Sequence, residues 1–134
     1  MAQPGGDYRG KVLRIANFEN NDLRNANFED ANLQGANLKG ANLSGASLRG
    51  ANLEIAYMQG ANLEGSDLRK AQLRVTHLQG ASLIKADLRG ANLGASRLRG
   101  ANFHSAKVDP IWKRHLEKQE VLNFETIKWI SSPR

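Results

Sequence analysis

The chain has 134 residues, enough for one ordinary domain and too few for two well-buried ones. Its 19 lysines and arginines exceed its 13 aspartates and glutamates, and it contains no cysteine, so disulfides, thiolate metal sites and a cysteine nucleophile are excluded. No apolar run approaches the roughly 18 residues of a membrane span, and the N-terminus lacks the apolar core of a secretory signal. We therefore expect a soluble, cytoplasmic protein.

Residues 1–15 contain imperfect versions of a five-residue block that becomes regular further along the chain. Tyr8 and Leu13 are in phase with that block, whereas Lys11 stands where a small residue is usual. We expect this segment to form an N-terminal edge built from partial repeats.

Residues 16–110 consist of 19 unbroken five-residue blocks. The third residue of every block is Leu, Phe, Met or Val, and the first is Ala in all but four, where Asn21, Ser66, Thr76 and Ser96 replace it. Second positions are mostly Asn, Asp or Ser, and the fifth residue is Gly in nine blocks. Such regularity predicts a repetitive architecture and outweighs the polar composition, which alone would suggest disorder.

A period of five fits neither regular secondary structure. In an α-helix successive blocks would rotate by about 140° and spread the leucines around the axis, and in a strand an odd period would send them to opposite faces. The pattern is consistent if each block is one short extended side followed by a turn. First and third residues then point inward together, second and fourth residues face solvent, and glycine suits the corner.

The tandem A-(N/D)-L-x-x blocks of residues 16–110 resemble the pentapeptide-repeat family. The resemblance implies an all-β solenoid, a right-handed quadrilateral β-helix with four blocks per coil and about five coils in all. It also implies an interior filled by the first and third residues of each block.

The segment that follows the repeats, residues 111–134, changes register and composition. Asp109 is a good N-cap and Pro110 suits a first helical position, so we predict a helix from about Pro110 to Gln119 and a further helical stretch beyond it. Two roles are open for this segment, a helical cap on the last coil or a dimer interface. The residues expected to make either contact are Trp112, Leu116, Phe124 and Trp129.

Twenty residues per coil align two groups of surface side chains. Fourth-position residues Arg49, Arg69 and Arg89 form a basic ladder, for which self-pairing with nearby aspartates is favoured over binding of an anion or nucleic acid. A lateral contact patch is the second group: Ile55 and Val75 occupy a corner where glycine is usual, and Tyr57 and His77 lie on the next side. Isolated surface aliphatic residues that need no explanation are the alternative.

Catalytic chemistry has little support in the sequence. The histidines are His77, His104 and His115; no two share a metal-ligand spacing, and no carboxylate cluster accompanies them. We predict no enzyme activity, no metal and no cofactor.

The expected function is a protein-interaction scaffold of unassigned role. We expect its partner to be a protein and not a membrane or a nucleic acid. A homodimer formed through a solenoid end is left open. Many members of the family, especially in cyanobacteria, likewise have no assigned activity. The family also implies an alternative, mimicry of DNA to bind and protect type II topoisomerases such as gyrase. Two features of the repeats disfavour this alternative. Residues 16–110 carry 11 basic and 9 acidic side chains, so their net charge is positive, and they contain no insertion that would form a projecting loop.

Overall fold

The computed structural model describes residues 2–132. Parallel backbone bridges join positions twenty apart, beginning with Asp7 and Asn27 and continuing to Asp87 and Lys107. Since each block has five residues, four blocks complete one circuit, and the chain is a four-sided coil. Each side is a single bridge long, so the sides are too short to count as strands.

Backbone hydrogen bonds hold successive circuits together. The N–H of a third residue donates to a second-position carbonyl of the next circuit, as from Tyr8 to Asn27 at 2.7 Å. The N–H of a fifth residue donates to a fourth-position carbonyl, as from Gly10 to Glu29 at 2.9 Å. Second-position N–H groups donate to the preceding circuit, and first-position N–H groups close the turns. In the circuits that have a neighbour on both sides, the N–H of the fourth residue of each block is the one that finds no backbone partner among the described residues.

Every corner from residue 5 to residue 105 has its fifth-position residue in the left-handed region, with φ between 54° and 75°. A positive φ at this point of the turn is the requirement of a type II turn, which explains the preference for glycine. Asparagine and aspartate tolerate this conformation, but β-branched side chains clash with the backbone there. Ile15, Ile55 and Val75 nevertheless adopt it, all in one column of corners.

The interior is a stack of leucine and alanine layers. Third-position leucines from Leu23 to Leu98 have no solvent exposure, and each contributes on the order of 1.5–3 kcal/mol by its burial. Two of the polar residues at first positions are accommodated by local bonds, because the hydroxyls of Thr76 and Ser96 each donate to a carbonyl three residues earlier at 2.7 Å. Small first-position residues therefore close the circuit without opening the core.

Aromatic rings gather at the N-terminal end of the coil. The rings of Tyr8 and Phe28 are stacked with centroids 4.7 Å apart, and Phe18 meets both edge-on at 6.1 and 5.9 Å. These offset and edge-on arrangements are the favourable ones for aromatic pairs.

The segment after the coil contains a 3-10 helix at Pro110–Trp112, the helix α1 at Lys113–Lys118 and a second 3-10 helix at Phe124–Thr126. Strand β1 at Lys107–Val108 pairs in parallel with strand β2 at Lys128–Trp129. As predicted, the carboxylate of Asp109 accepts a hydrogen bond from the next turn, with the N–H of Ile111 as donor at 3.1 Å.

The predicted second helical stretch is largely replaced by extended backbone. Leu122 forms a bridge to Asn102 and its carbonyl accepts from the N–H of Phe103 at 3.1 Å, while the N–H of Lys128 donates to Ala106 at 2.8 Å. The last circuit presents unpaired backbone groups, and an extended segment satisfies them whereas a helix, whose groups bond internally, does not.

Candidate interaction site

The four residues of the predicted lateral contact patch lie together on the surface. Ile55 and Val75 occupy one corner in successive circuits, and Tyr57 and His77 occupy the adjoining side, bridged to each other through the backbone. The rings of Tyr57 and His77 are stacked, with centroids 5.0 Å apart and planes 11° from parallel. Ile55 is 44% exposed and Tyr57 37% exposed.

Backbone strain accompanies this exposure. Ile55 and Val75 have φ of 60° and 58°, values that cost a β-branched residue about 1–2 kcal/mol relative to glycine. Ile55 is exposed and Val75 is only partly buried, so burial within the chain offsets only part of this cost. An unfavourable conformation at a surface position is typical of a residue kept for a contact.

Positive charge surrounds the patch. The Nζ of Lys39 lies 5.6 Å from the centre of the Tyr57 ring. The pKa of His77 is lowered, first by burial and then by the charges of Arg97 and Lys39. Its imidazole is therefore neutral at pH 7, and the patch presents an uncharged stacked pair between cationic side chains.

Second-position asparagines and aspartates have a structural role that the sequence analysis missed. In all thirteen such blocks between residues 7 and 102, the side-chain oxygen accepts the fourth residue's N–H at 2.9–3.3 Å. Asn62, for example, accepts from Glu64 at 3.0 Å. This Asx turn satisfies the one N–H per block that the coil leaves unpaired.

Tyr57, His77 and Arg97 break this pattern on one side of the coil. None of them caps the following fourth-position N–H, which belongs to Gln59, Gln79 and Arg99 respectively. In the sequence, this site is marked by three second positions, twenty residues apart, that are not Asn, Asp or Ser. These departures indicate a site only because Asn and Asp at the same position cap a backbone N–H.

The basic ladder is mostly neutralised by its own neighbours. Arg69 and Arg89 form bidentate pairs with the aspartates two residues before them, at 2.8 and 2.7 Å, and Arg69 also approaches Asp87 at 4.0 Å. Each pair comes from a D-x-R block, and the D-x-R blocks at Asp7 and Asp22 form the same pair. Arg49 follows Ser47 and has no ion pair within residues 2–132. The three arginines, Lys70 and Ser132 line a groove of about 190 Å³.

The predicted cap or dimer residues all pack against the last coil. Leu116 is fully buried, and Trp112, Phe124 and Trp129 are partly buried against the core. The indole N–H of Trp112 donates to the carbonyl of Ala91 at 3.0 Å. Further polar contacts anchor the segment, with Gln119 accepting from the N–H of Leu98 at 3.0 Å and the ring of His115 lying 3.1 Å from the hydroxyl of Ser96.

Two further features bear on the kinds of site this surface offers. In the part of the chain that the structure describes, no three His, Asp or Glu side chains converge to hold a metal ion. Within the same residues, every helix is too short or too polar to cross a membrane.

Comparison with known protein families shows which family the coil matches. The model of the family described as pentapeptide repeats matches residues 13–109 in overlapping segments, with 8 copies. This chain belongs to the pentapeptide-repeat family. Its members fold as right-handed quadrilateral β-helices, in agreement with the fold that the resemblance implied.

Several solved structures are similar to this pentapeptide-repeat protein. The pentapeptide repeat protein alr5209 from Nostoc is 34% identical with a TM-score of 0.65, and the match covers 80% of this chain and 84% of that one. A pentapeptide repeat protein of the Arabidopsis thaliana thylakoid lumen is 30% identical with a TM-score of 0.43, over 87% and 74% of the two chains. The fluoroquinolone resistance protein QnrB1 is 20% identical with a TM-score of 0.50, over 79% and 57%, and shares the fold. None of the curated proteins compared with the sequence matches it.

Proposed function

We propose that this pentapeptide-repeat protein is a non-enzymatic, cytoplasmic scaffold that binds another protein through the lateral contact patch. The observation that carries the proposal is the left-handed corner conformation of exposed Ile55 and of partly buried Val75, both β-branched, beside the stacked Tyr57 and His77. Glycine occupies eleven corners of this coil and would relieve the strain at these two. Compared with glycine, the isoleucine and the valine add apolar surface for a contact.

A pair of substitutions separates binding from folding. Changing Ile55 and Val75 to glycine removes the apolar surface and the strain together, so the melting temperature is expected to stay level or rise while partner capture is lost. Changing both to glutamate is expected to abolish capture as well. Lys85→Glu, at a left-handed corner of another column with φ 57°, makes the same total charge change as the double glutamate variant.

The measurement is a quantitative pull-down from the source organism with each variant, alongside thermal unfolding. Capture of the same proteins by the parent, the Lys85→Glu control and the double glycine variant would overturn the proposal. Loss of capture by the glycine and glutamate variants, with retention by the control, supports it.

We further propose that residues 111–134 act as a cap on the coil instead of as a dimer interface. The burial of Leu116 within one chain supports this role, as do the bonds from Leu98, Phe103 and Ser105 that end on the segment. A cap of this kind stops coils from stacking end to end through their open edges.

The topoisomerase alternative gains no support from the surface charges. Aspartates at positions 7, 22, 67 and 87 are each neutralised by the arginine two residues later, and Glu54 pairs with Arg74 at 3.2 Å. A DNA mimic needs rows of unpaired negative charge, and these five carboxylates are each paired with a guanidinium group. The similarity to QnrB1 is at the level of the fold alone.

A further inference from the structure

We propose that the side of the coil bearing Tyr57 and His77 binds an acidic α-helix of the partner, laid along the coil axis. This inference rests on the proposed scaffold function and specifies the chemistry of the partner. It follows from three observations on that side: uncapped N–H donors, an excess of positive charge and a regular spacing.

The first observation is a row of backbone donors. Because Tyr57, His77 and Arg97 replace the capping asparagine, the N–H groups of Gln59, Gln79 and Arg99 have no hydrogen-bond acceptor among residues 2–132. In capped blocks the acceptor lies on the outer face, so these three N–H groups face the surface. On the other sides uncapped blocks between residues 7 and 102 are separated by capped ones, at Val12, Ser47, Gln72 and Ser82, and only here do they follow one another in successive circuits.

Backbone N–H groups that face the surface bond to water, so a ligand that covers them must supply acceptors of its own. The carboxamide oxygens of Gln59 and Gln79 are also buried without a partner within the described chain. Carboxylates of a ligand laid on this side accept bonds from the N–H row, whereas the two glutamine oxygens are buried and out of reach of that ligand. The side is therefore prepared for a polar ligand as well as for the apolar contact at the corner.

Charge selects an acidic ligand. On this side, the blocks of residues 36–40, 56–60, 76–80 and 96–100 carry Lys39, Arg97 and Arg99 and contain no acidic residue. The block of residues 16–20, at the N-terminal end of the side, carries Glu19, which accepts a hydrogen bond from the side chain of Asn37. Arg99 has one exposed pair, with Glu120 at 3.2 Å, and Lys39 lies over the Tyr57 ring. Opposite charge across an interface steers association and fixes its register.

Spacing selects a helix. The donors recur once per circuit, about 4.8 Å apart along the axis, and one turn of an α-helix rises about 5.4 Å. Glutamates three or four residues apart on a helix therefore stay near successive donors, with a drift of about 1.2 Å over the two intervals from Gln59 to Arg99. An extended strand running along the axis presents same-side groups about 6.6 Å apart and drifts three times as far.

The test uses a synthetic alanine-rich helix with Glu at positions i, i+4 and i+7 and Leu beside them, measured by titration and by the amide shifts of Gln59, Gln79 and Arg99. Two matched peptides serve as controls, one with Lys for Glu and one with the same glutamates spread around the helix. We expect binding of the first peptide alone, weakening as salt is raised.

The decisive variant restores the repeat pattern. Tyr57→Asn with His77→Asn supplies caps for Gln59 and Gln79, so the melting temperature is expected to hold or rise while peptide affinity falls about tenfold or more. Gln72→Asn caps an isolated N–H on another side and is expected to leave peptide affinity unchanged. Equal binding of the acidic and basic peptides, or unchanged affinity in the double asparagine variant, overturns the inference. If Ile55→Gly with Val75→Gly still abolishes partner capture in that case, the scaffold function stands without an acidic helix as the ligand.

Discussion

Second-position asparagines and aspartates act on the backbone of their own block. Each accepts the N–H that stacking of the circuits leaves unpaired, as Asn32 does for Gln34 at 3.1 Å. Aspartate adds a second function when arginine stands two residues later, because the guanidinium then binds the same carboxylate with two parallel bonds. One short polar side chain thus closes the hydrogen-bond pattern and, in D-x-R blocks, neutralises a charge.

Acid sensitivity follows from these pairs. Burial raises the pKa of Asp67 and of Asp87, but hydrogen bonds from the side chains and backbones of Arg69 and Arg89 outweigh it, so both pKa values lie below 3.8. The unfolded chain therefore takes up protons first, and the stabilisation is complete above about pH 4 and lost as the pH falls toward the lowered values. Asp67→Asn with Asp87→Asn keeps the capping oxygens and removes the charges. In thermal unfolding between pH 5 and pH 2, the melting temperature of this variant is expected to fall less than that of the parent. An equally steep fall would contradict the role of the two ion pairs in acid sensitivity.

At the scale of the element, each circuit is stabilised mainly by the circuits above and below it. The interior layers bury leucine completely, and only the ends lack a neighbouring layer. Larger rings occur there, with Tyr8, Phe18 and Phe28 at one end and Phe103 near the other. We predict that their extra area covers leucines that would otherwise face solvent.

Replacing Phe18 and Phe103 by leucine tests this role of the rings. Each substitution removes buried or edge-on aromatic contact at an end, and we expect a loss of about 1–2 kcal/mol in the free energy of unfolding and a lower melting temperature. Met58→Leu, in a middle circuit, is a conservative exchange and is expected to have a smaller effect. Unchanged melting temperatures for both phenylalanine variants would show that Phe and Leu interchange freely in this interior.

At the scale of the whole molecule, the two ends of the coil are covered differently. The C-terminal segment supplies acceptors to the N–H groups of Leu98, Phe103 and Ser105 and buries Leu116. At the N-terminal end, Ala2, Tyr8, Leu13 and Phe18 border an open hollow of about 370 Å³ together with Asn17 and Asn21. The described chain is therefore closed by a dedicated segment at its C-terminal end and by side chains alone at the other.

A chain ending at Pro110 tests the proposed cap. Removal of the segment exposes the apolar face of the last circuit and its unpaired backbone edge, so light scattering is expected to show association where the full chain shows none. Leu116→Asp should weaken the cap in the same direction, with Lys118→Asp on the same helix as the control. A soluble monomer ending at Pro110 would contradict the cap role.

The coil was predictable because its information is local and repeated. A five-residue period with one Leu-like and one small residue per block admits no single helix face or strand face, which leaves a coil with a common axis. The residues of the predicted lateral contact patch could be singled out for the same reason: departures from the repeat, such as Ile55 at a glycine position, are visible in the sequence. The capping function of Asn and Asp could not be predicted from the sequence, since it depends on which N–H group the stacked circuits leave without a backbone partner.

The sequence by itself determined the repeat, the inward residues, the corners and the columns of side chains on each side, because each depends on neighbours five or twenty residues away. Tertiary structure decided what lies beyond that period. It replaced a predicted helical stretch with backbone paired to the last circuit, since open edge groups favour an extended partner over a helix. It also showed that Tyr57, His77 and Arg97 leave three successive donors free on one side, a consequence of stacking that no single block contains.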